Sequence, residues 1–129
     1  MRTLPFYIPK ILGGLARAHG VARLDESALV LEFEVRDNLT GLFESAVKEF
    51  QLDMDDIDSA DVHLGWFSSV FSVQMSRQSL VEEIPQADRG RIHLYLKRRD
   101  RQAAQEIAST INLKASARKL EAVRKDLNL

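Results

Sequence analysis

The chain has 129 residues, a length typical of one domain that can bury a core without disulfides or metals. Hydrophobic residues make up 45% of it and charged residues 29%, which argues against a largely disordered chain. The formal net charge is −1, so no overall charge draws the protein towards nucleic acid or membranes. The absence of cysteine excludes disulfides, thiolate metal sites and cysteine catalysis.

The N-terminal segment, residues 1–20, is predicted to be an irregular lead-in. Prolines and glycines punctuate it at Pro5, Pro9, Gly13, Gly14 and Gly20. These residues also leave its apolar run too short and too broken for a secretory signal peptide. No stretch of the sequence approaches the roughly 20 apolar residues of a membrane span. We therefore expect a cytoplasmic protein without a transmembrane segment.

From residue 21 the hydrophobic period is two, which is typical of half-buried strands. The predicted strands cover residues 21–24, 29–36, 50–54, 62–66, 71–75, 80–84 and 91–97. The clearest is 29–36, where one face carries Leu29, Leu31, Phe33 and Val35 and the other carries Val30, Glu32, Glu34 and Arg36. A loop at 37–45 is expected to be anchored by Leu39, Leu42 and Phe43, and Ser68-Ser69 is expected to be a hairpin tip.

After Asp100, a candidate N-cap, the period becomes that of a helix. One apolar face carries Ala103, Ala104, Ile107, Ala108 and Ile111. A second stripe, out of phase with the first, carries Leu113, Ala117, Leu120, Val123 and Leu127. The change of phase predicts a bend near Asn112 and an amphipathic helical extension over 113–129. This extension either packs on its own domain or projects as an arm that contacts a second copy.

About seven strands followed by a helix predict a mainly β fold, a curled antiparallel sheet capped by a C-terminal α-helix. This order resembles the small bacterial members of the pleckstrin-homology-like family, which close seven antiparallel strands into a bent, barrel-like sheet. Three runs carry the resemblance: 52–57 (LDMDDI), 64–67 (LGWF) and 92–100 (IHLYLKRRD). The resemblance makes residues 21–112 the pleckstrin-homology-like domain.

The resemblance implies binding of a lipid, a peptide or a protein, since this fold serves all three. Lipid-binding members usually place basic residues in the loop between their first two strands. The corresponding loop here is predicted to be Asp25-Glu26-Ser27, which is acidic. This departure favours a protein partner over a lipid.

Signatures of catalysis and of cofactor binding are missing from the sequence. It has no nucleophile elbow, no phosphate loop and no dinucleotide fingerprint. The acidic run from Asp53 to Asp61 lacks the glycine and the glutamate that a calcium-binding loop requires. His63 and His93 would form a metal pair only if their strands were neighbours. We therefore expect no enzyme activity, no cofactor and no metal site.

The charged residues are unevenly placed. From Leu24 to Asp61 there are twelve acidic residues against two basic ones, and from Lys97 to Leu129 nine basic against four acidic. This layout serves solubility, or it complements a partner or a second copy. The densest basic cluster consists of Lys97, Arg98, Arg99 and Arg101. It is either a solvated strand end or a contact for an anionic group.

Apolar residues mark the other candidate contacts. Alternation places Trp66 in the core and Phe67 outside, where it is a candidate partner contact. Leu120, Val123 and Leu127 are the candidate contacts on the helical extension. Nucleic-acid binding is not expected, because Tyr95 is the one obvious aromatic residue near the basic cluster.

These features favour a non-enzymatic interaction module that binds a protein, including another copy of itself. One alternative is a peripheral domain that binds anionic lipid through the basic cluster and the segment 1–20. Another is a small enzyme or ligand carrier whose pocket the sequence does not reveal.

Overall fold

The computed structural model describes residues 2–37 and 47–127, and the expected loop anchors Leu39, Leu42 and Phe43 lie outside these ranges. The described residues form seven strands and one α-helix: β1 Arg2–Ile11, β2 Ala16–Leu24, β3 Ala28–Asp37, β4 Lys48–Asp53, β5 Ile57–Leu64, β6 Ser69–Met75, β7 Arg91–Leu96 and α1 Arg101–Asp126. Short 3₁₀ turns lie at Leu12–Gly14, Met54–Asp56, Gln78–Val81 and Arg98–Asp100.

The strands form one antiparallel sheet in the order β4-β3-β2-β1-β7-β6-β5. Its two halves meet where β1 pairs with β7 at Tyr7 and Tyr95, whose rings lie 5.8 Å apart. The predicted mainly β fold, a seven-stranded antiparallel sheet followed by one helix, is confirmed. The sheet is not closed into a barrel, because β4 and β5 are its edge strands and do not pair within the described residues.

The core lies between one face of the sheet and the inner face of α1. Alternate residues of the strands fill it, as the period of two requires. The fully buried large side chains are Leu4, Ile8, Leu29, Leu31, Phe33, Ile57, Phe71, Ile84, Ile92, Leu94, Leu96 and Ile107. The helix contributes Ile107, Ile111 and small alanines, so it packs closely against β5.

The prediction of an irregular lead-in over residues 1–20 is wrong, because this segment forms β1 and most of β2. Leu4, Phe6 and Ile8 alternate towards the core and are buried. Pro5 is paired in register with Val21 of β2. Proline fits a strand where its missing N–H is not needed by a neighbour, and β1 meets β7 at one residue pair alone.

Two strand predictions in the second half of the chain are corrected. The segment 80–84 is not a strand: a 3₁₀ turn at Gln78–Val81 buries Val81 and Ile84 without sheet pairing. The strand predicted at 62–66 starts earlier and ends at Leu64. The hairpin tip is therefore Gly65–Ser68, closed by a 3.0 Å hydrogen bond from the Gly65 N–H to the Ser68 carbonyl oxygen.

The predicted bend near Asn112 is absent, since α1 is one continuous helix from Arg101 to Asp126. Asn112 keeps a helical backbone while its side chain bonds across to β5. Its Nδ2 donates to the Ala60 carbonyl oxygen at 2.7 Å, and its Oδ1 accepts from the Ala60 N–H at 2.9 Å. The asparagine thus covers the free edge of β5 instead of ending the helix. The proposed boundary at residue 113 accordingly falls inside a continuous helix.

Candidate functional site

Basic side chains of α1 attach the helix to the acidic part of the chain. The Arg118 guanidinium donates to the carbonyl oxygens of Met54 at 2.9 Å and Ile57 at 3.2 Å, and also to that of Asp55. The Lys114 Nζ donates to the Glu26 carbonyl oxygen at 2.9 Å. The basic and acidic regions of the sequence therefore meet within the molecule, and the acidic turn serves to dock the helix.

Beyond Arg118 the helix runs past the domain. Residues 119–127, named here the overhanging turns, are exposed on every side. At their start, the Lys119 Nζ donates a long hydrogen bond of 3.4 Å to the Asp58 carbonyl oxygen. These turns resemble an arm, which was one of the two expectations for this segment.

An apolar stripe runs along the outer face of α1. It consists of Leu113, Leu120, Val123 and Leu127, and we call it the leucine stripe. Its side chains are between 52% and 73% exposed. At 100° per residue, the stripe lies opposite the buried residues Ala104, Ile107 and Ile111. An exposed apolar stripe of this kind is typical of an interaction site.

The predicted basic cluster, Lys97, Arg98, Arg99 and Arg101, is brought together at one corner where β7 leads into α1. It divides between two sides of this corner. Lys97 and Arg99 line a pocket with Tyr7 and His19, whereas Arg98 and Arg101 line another with Trp66. Within residues 2–37 and 47–127, none of the four cations forms an ion pair. The Arg101 Nε is buried without a hydrogen-bond partner.

The pocket on the first side has a volume of 210 Å³ and a mostly apolar lining. Burial lowers the pKa of His19 below its usual value, and the nearby charges of Arg17, Arg36 and Lys97 lower it further. This histidine is therefore neutral at neutral pH. The positive charge of the pocket comes from Lys97 and Arg99.

The aromatic residues of the β5–β6 hairpin tip project into solvent. Trp66 is 89% exposed, so the prediction that it belongs to the core is wrong. The alternation fails there because β5 ends at Leu64 and Gly65 begins the turn. Phe67 is 97% exposed, on the outside as predicted. The tip therefore projects two aromatic rings, and it places that of Trp66 beside Arg98 and Arg101.

The two strand histidines are not neighbours, because β6 separates the strands that carry them. His63 is paired with Val70, and His93 lies 3.0 Å, through its Nδ1, from the Ser72 Oγ. In the part of the chain that the structure describes, no three His, Cys, Asp or Glu side chains lie close enough to hold a metal ion. None of the described helices is long and apolar enough to cross a membrane.

Comparison of the chain with protein-family models, with curated proteins and with solved structures found no match. The fold and its surfaces define a mainly β domain whose C-terminal helix is docked at one end and exposed at the other. The extent of the overhanging turns could not be predicted from the sequence, because the exposure of the helix depends on where the sheet ends. The apolar period alone predicted the stripe residues.

Proposed function

We propose that the chain is a cytoplasmic, non-enzymatic interaction module of the pleckstrin-homology-like type, and that the leucine stripe is its docking surface for a protein helix. The observation that carries the proposal is the exposure of the overhanging turns with an apolar stripe along them. Seven antiparallel strands followed by one helix support the choice of fold type.

The energetics of the helix support a partner on this face. A helical end of about nine residues with so few tertiary contacts is marginally stable in water, because most helical stability in proteins comes from packing. Burying a leucine or valine side chain contributes about 1.5–3 kcal/mol relative to leaving it exposed. A partner that covers Leu120, Val123 and Leu127 would therefore bind the domain and stabilise the turns in one step.

The matched test compares two double variants of the full chain. Leu120→Glu with Val123→Glu places charges on the leucine stripe, whereas Glu121→Gln with Lys125→Gln changes the opposite face of the same turns. We expect the first variant to lose a stoichiometric protein partner in affinity capture and the second to keep it. Equal far-ultraviolet circular dichroism would show that both retain the helix. Retention of the partner by the first variant would refute the stripe as the docking surface.

A second candidate function, binding to an anionic membrane surface, is favoured by the corner of the β5–β6 hairpin. Trp66 and Phe67 project from its tip, and Arg98 and Arg101 flank Trp66 without ion-pair partners among the described residues. Aromatic rings with adjacent cations suit the interface of an anionic bilayer. The rings would enter the headgroup region while the guanidinium groups bind lipid phosphates.

Trp66 is the one tryptophan of the chain, so its fluorescence reports this corner directly. With vesicles of phosphatidylserine and phosphatidylcholine we expect a blue shift that salt weakens. Arg98→Gln with Arg101→Gln should lower the partition about 30-fold, since each cation near an anionic surface contributes about 1 kcal/mol. Arg77→Gln with Arg89→Gln makes the same change of net charge elsewhere and should have a smaller effect. An equal blue shift with pure phosphatidylcholine, or none at all, would contradict this candidate.

A further inference from the structure

We infer that the helix that docks on the leucine stripe belongs to a second copy of this chain and runs antiparallel to the first. This inference rests on the proposed function and names the partner of the same surface. It is drawn from the spacing of the stripe residues and from the charges that border them on α1.

The stripe has the spacing of a short coiled-coil seam. Leu113, Leu120 and Leu127 are seven residues apart, and Ser116 and Val123 lie at the intervening position three residues later. These are the a and d positions of a heptad, which place their side chains along one line of the helix. Because these positions form the exposed face, a second helix can approach them without disturbing the packing of α1 on β5.

The charges beside this seam distinguish the two possible orientations. One flank carries Lys119 and Asp126, and the other carries Ala117 and Arg124. In a parallel pair opposite flanks meet, so Lys119 would face Arg124 of the second copy and repel it. In an antiparallel pair like flanks meet, so Lys119 faces Asp126 of the second copy. The twofold symmetry of the pair produces this attraction twice. Arg124 then faces the uncharged Ala117 of the second copy.

The antiparallel register follows from the same pairing. Leu120 of each copy packs on Val123 of the other, and Leu127 packs beside Ser116. The helices then overlap over residues 116–127, a length of about 18 Å at 1.5 Å per residue. Lys119 is available for the contact, because its present bond to the Asp58 carbonyl oxygen is long, at 3.4 Å, and exposed.

An overlap of this length is small beside the interfaces of stable dimers, which bury about 1,200–2,000 Å² in total. We therefore expect a weak dimer whose population rises with protein concentration. Such a dimer would form mainly where several copies of the chain are held close together, because their proximity raises the effective concentration of the second copy.

Sedimentation equilibrium of the full chain, from micromolar to millimolar concentration, tests the inference. Lys119→Glu should weaken the dimer about fivefold, because two attractions become repulsions between exposed groups. Lys119→Glu with Asp126→Lys should restore the wild-type dissociation constant, which would assign the loss to this charge pair, and circular dichroism of the single variant shows whether it remains folded. In a parallel pair Lys119→Glu would strengthen the dimer instead, since the introduced carboxylate would then face Arg124 of the second copy.

The outcomes separate the inference from the proposed function. A wild-type chain that stays monomeric at millimolar concentration overturns self-pairing. If the Leu120→Glu, Val123→Glu variant nevertheless loses another captured protein, the proposed docking surface still holds. If that variant dimerises as wild type does, the dimer forms through another surface, and pairing of two copies on the leucine stripe fails. A dimer whose affinity rises with Lys119→Glu, or that the double exchange does not restore, overturns the antiparallel arrangement.

Discussion

Replacing Gly20 with alanine is expected to lower the free energy of unfolding by about 3 kcal/mol, at the upper end of the usual cost of overpacking. Gly20 lies in β2, paired with Phe6 of β1 on one side and Phe33 of β3 on the other. The two phenylalanine rings meet edge to face, with their centroids 6.4 Å apart. The glycine leaves room for this contact across the middle strand.

A Cβ atom at Gly20 would overlap the backbone of β3. It would lie 2.6 Å from the Cβ and 2.8 Å from the Cα of Phe33, and would also overlap the Glu32 carbonyl oxygen. Backbone atoms of a paired strand cannot move aside as a flexible side chain can, so β2 and β3 must separate locally. We therefore expect the substitution to destabilise the sheet as a whole and not β2 alone.

Urea denaturation of wild type and Gly20→Ala measures this effect. Val21→Thr is the matched control, because it changes a partly exposed neighbour on the same strand to a side chain of similar shape. The control should lie within about 0.5 kcal/mol of wild type, as surface substitutions usually do. A Gly20→Ala chain as stable as this control would mean that β2 and β3 are further apart than the structure places them.

Replacing Asn112 with alanine is expected to cost about 2 kcal/mol of unfolding free energy, because it leaves two backbone groups of Ala60 without partners. Both groups lie in a partly buried position at the free edge of β5. Asn112→Asp should cost more than Asn112→Ala. A carboxylate can accept from the Ala60 N–H but cannot donate to its carbonyl oxygen, which it would repel.

Ser116→Ala is the control for helix composition, since Ser116 is exposed one turn further along α1. It should leave the stability unchanged or raise it slightly, because alanine is the better helix former. The order expected in thermal or urea unfolding is Ser116→Ala, Asn112→Ala, then Asn112→Asp, from most to least stable. If Asn112→Ala proved as stable as Ser116→Ala, the side chain would not be a structural link between the helix and β5.

Local periodicity predicted the strands that pair along most of their length. The segment 29–36 lies within β3 and 91–97 closely matches β7, because each places an apolar residue at every second position without interruption. The first apolar face of α1 was also predicted, since its five residues follow the helical period. In these elements the local pattern and the global packing agree.

The expected number of strands was right although one strand was missed and another was wrongly assigned. Residues Leu4, Phe6 and Ile8 carry the period of two, yet the prolines beside them outweighed that pattern. The converse error occurred at 80–84, where buried apolar residues of a 3₁₀ turn resembled a strand. The energetic cost of a proline in a strand depends on whether its missing N–H would face a paired neighbour. Predicting this cost therefore requires knowing the order of the strands in the sheet.

The candidate sites were predictable to the extent that they are local in sequence. The four cations of the basic cluster are nearly consecutive, so their proximity was evident, but their division between two pockets was not. The docking of Arg118 could not be predicted, because its acceptors are backbone carbonyl oxygens more than sixty residues away. Carbonyl groups leave no signature in the amino-acid sequence.

Amide hydrogen exchange along α1, measured residue by residue at micromolar and millimolar protein, tests most directly whether the overhanging turns dock a second copy of the chain. We expect residues 104–118 to be protected at both concentrations, because they pack on the sheet. Residues 119–127 should exchange freely when dilute and gain protection when concentrated, and the Leu120→Glu, Val123→Glu chain should lack that gain. Equal protection of these turns at both concentrations, or an equal gain in the variant, would contradict the docking of a second copy on the leucine stripe.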